Sequence, residues 1–141
     1  MAVHDQPLRL IAEDAEDLKV ISAALQDAVS KIEDIAFDTA ARSLTLALNR
    51  FRWEAGEGRV RCGLQLGGVL SVKTRKLRRD APRAVVELLA VEFEPAEAPG
   101  GVVTLRFAGG GDLRCEVECI DAVLADVSTP WPARHAPAHG E

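Results

Sequence analysis

Basic and aromatic side chains are concentrated in the middle of the chain, between residues 50 and 79. This stretch holds nine Lys and Arg against two acidic residues, whereas residues 1–49 and 80–127 are both acidic on balance. Arginines can neutralise phosphates while neighbouring aromatic rings stack on bases. The side chains that could form such a site are Arg50, Phe51, Arg52, Trp53, Arg59, Arg61, Lys73, Arg75, Lys76, Arg78 and Arg79. They predict a surface for an anionic partner, which is a nucleic acid, a nucleotide or an acidic protein surface.

The position of Phe51 and Trp53 is open to two interpretations. The alternation of residues 44–48 places both aromatics on the face opposite the buried leucines. Either a β-bulge near Asn49 returns them to the core, or they stand on the solvated face as a stacking platform. If they belong to the core, the basic run is a solvated face balanced by acidic flanks.

Two further patterns suggest ligand chemistry but fit structural roles better. The glycines at 109–111 are followed by Asp112 and a strand pattern, whereas a phosphate-binding loop needs a helix at that point. A tight turn is therefore predicted. Cys62, Cys115 and Cys119 lie in alternating apolar runs, and the three histidines lie near the chain ends. We therefore predict buried structural thiols and no metal site.

Catalytic motifs are missing from the sequence. There is no Gly-x-Ser-x-Gly motif, and no histidine falls inside the alternating segments to act as a base. Acidic pairs such as Glu92 and Glu94 alternate outward on a strand, as exposed acids do. We expect no cofactor and no catalytic residues, which favours a non-enzymatic protein.

The elements that must position these side chains are one helix and a series of strands. Asp14 is a predicted N-cap, and apolar residues at helical spacing predict a helix over residues 15–30. In the later segments apolar and polar residues alternate with period two, which favours antiparallel strands with one face exposed to solvent. Gly67-Gly68 interrupts the longest alternation, where the strand is expected to pass between parts of the sheet. We predict an α+β fold in which the helix packs on a strongly bent antiparallel sheet, either a barrel or a two-layer roll.

Two segments of the sequence resemble each other. Residues 35–70 and 91–124 share an order of short alternating runs, with Phe37 and Phe93 separated by 56 positions and Cys62 and Cys115 by 53. Such spacing is typical of an internal repeat. It predicts two three-stranded units related by a pseudo-two-fold axis, although any two β-meanders share alternating apolar residues.

Length and composition suggest one domain in a reducing compartment. At 141 residues the chain fits a single domain over 1–129, followed by a flexible Pro-rich C-terminal tail over 130–141. Three cysteines do not make a disulfide framework, and the polar N-terminus lacks a signal-peptide core. No apolar run is long enough to span a membrane. These features predict a cytoplasmic protein.

Several motifs resemble a known family. They are Leu44-x-Leu-Ala-Leu-Asn-Arg-Phe-x-Trp53, Glu92-Phe-Glu-Pro95, and Phe107-Ala-Gly-Gly-Gly111 ahead of Val117-Glu-Cys-Ile120. They are similar to a bacterial family known as domain of unknown function 2948. The resemblance extends from Leu8 to about Trp131 and implies a single-domain bacterial protein, but it implies no activity, ligand or site residue.

The leading functional hypothesis is a binding or adaptor domain that recognises an anionic partner through the hairpin at 50–61 and the turn at 73–79. One alternative is a structural homo-oligomer that pairs through sheet edges or an apolar patch around Phe51 and Trp53. Another is a small-molecule enzyme with an unrecognised site.

Overall fold

The computed structural model describes residues 6–132. Over these residues the chain forms one α-helix and ten strands, and the strand pairs are antiparallel, as the alternation predicts. The strands are β1 (Arg9–Ala12), β2 (Val29–Lys31), β3 (Ile35–Asp38), β4 (Ser43–Phe51), β5 (Arg59–Leu66), β6 (Val69–Arg75), β7 (Val85–Pro95), β8 (Gly101–Phe107), β9 (Asp112–Val117) and β10 (Ala122–Asp126). Helix α1 spans Ala15–Ala24, and a short 3-10 helix spans Ile32–Asp34.

Helix α1 packs on the sheet through one apolar face. Leu18 and Ile21 are almost completely buried, and the helix contacts β7 and β1. The hydroxyl of Ser22 also accepts the backbone N–H of Val91 on β7 at 2.9 Å. The predicted packing of one N-terminal helix on the sheet is therefore confirmed.

The helix ends at Ala24, and the prediction that it continues to residue 30 is wrong. Asp27 adopts a left-handed φ of 66°, and its N–H donates to the carbonyl of Leu88 at 2.8 Å. The N–H of Leu88 in turn donates to the carbonyl of Ala28 at 2.8 Å. The residues beyond the turn are extended and lie beside β7. Their apolar side chains continue the stripe of the helix in the sequence, although they are no longer helical.

The strands form a continuous but open sheet. Its hydrogen-bonded order is β1-β10-β5-β4-β2-β7-β8-β9-β6, and β3 pairs with β4. Within residues 6–132 the two end strands of this path do not pair with each other, so the barrel alternative is wrong. A single core nevertheless includes side chains from both halves of the path, from Leu46 on β4 to Leu105 on β8.

Two meanders exchange strands. They are β3-β4-β5 and β7-β8-β9, and the strand that follows each one joins the other, since β6 pairs with β9 and β10 pairs with β5. The two crossovers touch, with Gly67 N–H donating to Asp121 O at 2.8 Å and Glu118 N–H donating to Gly68 O at 2.9 Å. Gly67-Gly68 thus carries the chain between parts of the sheet, as predicted. An internal duplication is compatible with this reciprocal pairing and stays a prediction.

Candidate functional site

Arg50 is buried and takes no part in a cationic surface. Its guanidinium donates to both carboxylate oxygens of Glu54 at 2.9 and 2.7 Å and to those of Asp126 at 2.9 Å. The Arg50 side chain is completely buried, and that of Asp126 is 3% exposed. Burial alone would lower the pKa of Arg50, but the hydrogen bonds to these carboxylates outweigh it and raise that pKa.

The aromatics of the hairpin are enclosed, as the core interpretation predicts for Phe51, but not through the predicted bulge. The pairing of β4 with β5 runs in unbroken register from Leu44 to Phe51, so no bulge returns the rings to the main core. Phe51 is nevertheless only 2% exposed, and Trp53 packs edge-on against it with ring centroids 4.8 Å apart. The indole N–H of Trp53 donates to the carbonyl of Gln26 at 3.0 Å. Phe51 therefore offers neither a stacking platform nor an exposed apolar patch.

The remaining arginines of the hairpin are also partly enclosed. Arg52 is 6% exposed and lines a shallow depression with Trp131, whose backbone pairs with that of Arg59 through two hydrogen bonds of 2.8 Å. Among the described residues, Nη2 of Arg52 and Nη1 of Arg59 have no hydrogen-bond partner. This pairing of Trp131 with Arg59 falls within the segment predicted to be a flexible tail, residues 130–141. Residues 133–141 of that segment are outside the described range.

Arg61 is the last cation of the hairpin, and it is held by neighbouring polar side chains. Its guanidinium donates to the amide oxygen of Asn49 at 3.2 Å and to the carboxylate of Asp34 at 3.3 Å. β5 pairs with β4 and β10, whereas β6 pairs with β9. Strand pairing therefore does not join the arginines of the hairpin to the basic residues of 73–79.

A cationic face lies instead on the outer side of β6, β9 and β8. We define it as Lys73, Arg75, Arg106 and Arg114, which border a depression of about 450 Å³. Lys73 is directly opposite Arg114, and Arg75 is in one cross-strand row with Asp112 and Arg106. Sequence reasoning missed Arg106 and Arg114, although their parity in strands β8 and β9 places them on the solvated face.

Two carboxylates hold part of this cationic face in place. Asp112, only 4% exposed, accepts hydrogen bonds from Nε and Nη2 of Arg75 at 3.2 and 2.8 Å. Arg106 donates to Glu92 on β7, and this hydrogen bond raises the pKa of the guanidinium. Lys73 and Arg114 have no ion-pair partner within residues 6–132.

The basic turn after β6 extends the cationic face at one end. It carries three exposed cations, of which Arg78 pairs with Asp80 at 3.4 Å. The other two are Lys76 and Arg79. The turn packs closely on the β8–β9 hairpin at Gly111. A Cβ atom added to this glycine would lie only 2.9 Å from the carbonyl oxygen of Lys76. The glycine turn at 109–111 therefore positions the cationic turn, and two of its glycines adopt φ near +90°.

The cysteines form no shared site in the described part of the chain. Cys62 and Cys115 are completely buried in the core, and burial raises the pKa of each thiol to about 12. Cys119 lies beyond the end of β9 and is half-buried. All three are free thiols.

Over residues 6–132 this is an α+β domain with one helix on an open antiparallel sheet. A family model described as "Protein of unknown function (DUF2948)" matches residues 8–139, and the chain belongs to this family. The resemblance drawn from the sequence motifs is thus confirmed. Comparison with curated proteins gave no match, and comparison with solved structures also gave none. No helix in the described range has the length and apolar character needed to cross a membrane.

Proposed function

We propose that this protein is a non-enzymatic binding domain that recognises an anionic partner through the cationic face. The observation that carries this proposal is the register of Lys73 opposite Arg114, two like charges without an ion-pair partner among the described residues. Like charges directly opposite each other on a sheet are destabilising. An anion bound between them would relieve this repulsion.

The arrangement of the cations favours a partner with repeated charges. The cationic face covers three adjacent strands, which lie about 4.8 Å apart, so its charges extend over roughly 10 Å. Arg75 donates two hydrogen bonds to Asp112, which orient its guanidinium on this face. Phe51 is buried, so base stacking by the hairpin aromatics is not part of the proposal. The partner that fits best is a nucleic acid bound through its phosphate backbone without sequence preference. A cytoplasmic location, in keeping with three free cysteines, belongs to the same proposal.

The test is the salt dependence of binding to fluorescently labelled oligo(dT), measured by anisotropy. Each phosphate contact contributes about 0.7 to the slope of log K against log salt for a single strand. The double variant Lys73→Gln/Arg114→Gln is expected to lower this slope by about 1.4 and to weaken binding at low salt. The matched control is Arg9→Gln/Lys19→Gln, which removes one exposed Arg and one exposed Lys outside the cationic face.

The control variant is expected to bind like the wild type. The proposal fails if the wild type does not bind oligo(dT) at low salt, or if both double variants show the same loss. The second result would mean that net charge, rather than the cationic face, governs binding.

A further inference from the structure

A second feature lies on the inner side of β6, where the sheet is open. In the described part of the chain β3 pairs with β4 and β6 pairs with β9, so their other edges are left without a strand partner. These two strands flank a cavity of about 350 Å³. Its size is at the lower end of the range for small-molecule sites.

Backbone hydrogen bonds close the cavity at both ends. At one end the N–H of Val69 donates to the carbonyl of Arg42 at 2.9 Å. At the other end the N–H groups of Ile32 and Glu33 donate to the carbonyls of Ala84 and Pro82 at 3.0 and 2.9 Å. These bonds connect the segments on either side of the cavity, which favours a small molecule over an added strand.

Seven of the nine residues that line the cavity are apolar, and the other two, Thr74 and Arg79, are polar. Leu44 and Leu113 contribute buried side chains, each 1% exposed. Half-buried apolar side chains complete the lining, namely Ile32, Ile35, Phe37, Val72 and Leu77. These five side chains form a partly exposed apolar surface around one cavity, and an apolar group placed there would remove this surface from water.

Two polar side chains give the cavity its chemical preference. Arg79 lines it and is exposed, and within residues 6–132 it forms no ion pair, whereas the adjacent Arg78 pairs with Asp80. Thr74 adds a hydroxyl group to the lining. A cation beside an apolar cavity is complementary to a molecule with an apolar body and a negatively charged group at one end.

We propose that this cavity binds a small organic acid, with its apolar body between β3 and β6 and its carboxylate on Arg79. Thr74 borders both depressions and Arg79 lies on the basic turn next to the cationic face, but the apolar lining of the cavity, including Val72, is not shared with the depression bordered by Lys73 and Arg114. The two proposals can therefore fail independently.

The experiment compares decanoate with decan-1-ol, which has the same chain length and no charge, by isothermal titration calorimetry below the micelle concentration of decanoate. Decanoate is expected to bind the wild type roughly tenfold more tightly than the alcohol, because a charged hydrogen bond to Arg79 is added. Arg79→Gln should remove this difference. Arg78→Gln is the matched control, and its affinity for decanoate should equal that of the wild type.

A second variant tests the location of the apolar body. Val72→Phe should fill the cavity and abolish binding of both compounds, and its thermal unfolding shows whether the variant is folded. Lys73→Gln/Arg114→Gln should retain decanoate binding even if it loses oligo(dT). The proposal is overturned if decanoate does not bind the wild type, if Arg79→Gln retains full affinity for it, or if a folded Val72→Phe variant still binds it.

Discussion

Arg50 and Asp126 form a buried ion pair between β4 and β10, with Nε of Arg50 donating to Oδ1 of Asp126 at 2.9 Å. The two residues are 76 positions apart in the chain. The second oxygen of Asp126 also accepts the N–H of Leu8 at 2.8 Å, which ties the segment before β1 to the same carboxylate. This pair therefore connects the first meander, the last strand and the N-terminal segment.

Removing Arg50 is expected to destabilise the protein strongly. Arg50→Met leaves the Asp126 carboxylate buried without its counter-ion, at a cost of about 3–5 kcal/mol in the free energy of unfolding. Arg50→Met/Asp126→Asn should recover part of this loss, because Asn is neutral and can still accept the N–H of Leu8. Urea unfolding measures both changes. The control Arg61→Gln breaks a more exposed pair with Asp34 and should cost less than about 1 kcal/mol. Equal losses for Arg50→Met and Arg61→Gln would contradict the importance of the buried pair.

Glu54 should make stability depend on pH in the acidic range. The hydrogen bond from Arg50 lowers the pKa of Glu54, against the opposing effect of burial. A lowered folded-state pKa means that this carboxylate stabilises the protein above its unfolded pKa, and the contribution is lost as pH falls through the folded pKa. At neutral pH, Glu54→Gln should lower stability by only about 0.5–1 kcal/mol, because the side chain is 39% exposed and screened by solvent. Denaturation across the pH range should show the gap from wild type closing on acidification, and a gap that widens would contradict this assignment.

Lys73→Glu should increase stability while it reduces anion binding. The substitution replaces the like-charge pair with Arg114 by an opposite-charge pair, which should contribute about 0.2–1 kcal/mol. The control Lys19→Glu places a second acid beside Glu16 on α1 and should lower stability slightly. Thermal unfolding and oligo(dT) anisotropy on the same samples would test both effects. A loss of stability in Lys73→Glu would show that the repulsion is not significant in the free protein.

Thiol labelling should distinguish the three cysteines. Cys62 and Cys115 are completely buried and have pKa values of about 12, so their reactive thiolates are scarce at neutral pH. Cys119 is half-buried and should be the residue labelled in the native protein. Mass spectrometry after brief treatment with iodoacetamide should find one modified thiol, against all three after unfolding. Rapid native labelling of Cys62 would contradict the packing of this core.

Alternation along the chain was enough to predict most of the strand faces. Val60 and Cys62 are buried while Arg59 and Arg61 are partly exposed, as their parity requires. The same parity places Arg50 on the face of the buried leucines of β4, so its burial could have been inferred. Its partner Asp126 could not, unlike the neighbouring Glu54, because Asp126 comes from the other end of the chain and reaches Arg50 only through the pairing of β10 with β5.

The cationic face shows a similar limit. Outward parity marks Arg106 and Arg114 as exposed, but their proximity to Lys73 depends on β6 leaving its own meander to pair with β9. Local sequence specifies the faces of strands and not which strands become neighbours. The end of α1 follows the same rule, since the apolar stripe at Ala28 fits a helix or a strand equally well. Backbone hydrogen bonds to Leu88 on β7 hold this segment in the extended conformation.

The exchange of β6 and β10 also determines how the molecule can be divided. A cut in the connection at residues 76–84 would separate β1–β6 from β7–β10. In the first fragment β5 would lack its partner β10, and in the second β9 would lack its partner β6. Each fragment carries the strand that the other lacks, so the two are built as reciprocal donor and acceptor. Neither fragment would therefore have a complete sheet without the other, and mixing the two separately produced fragments is expected to restore the fold.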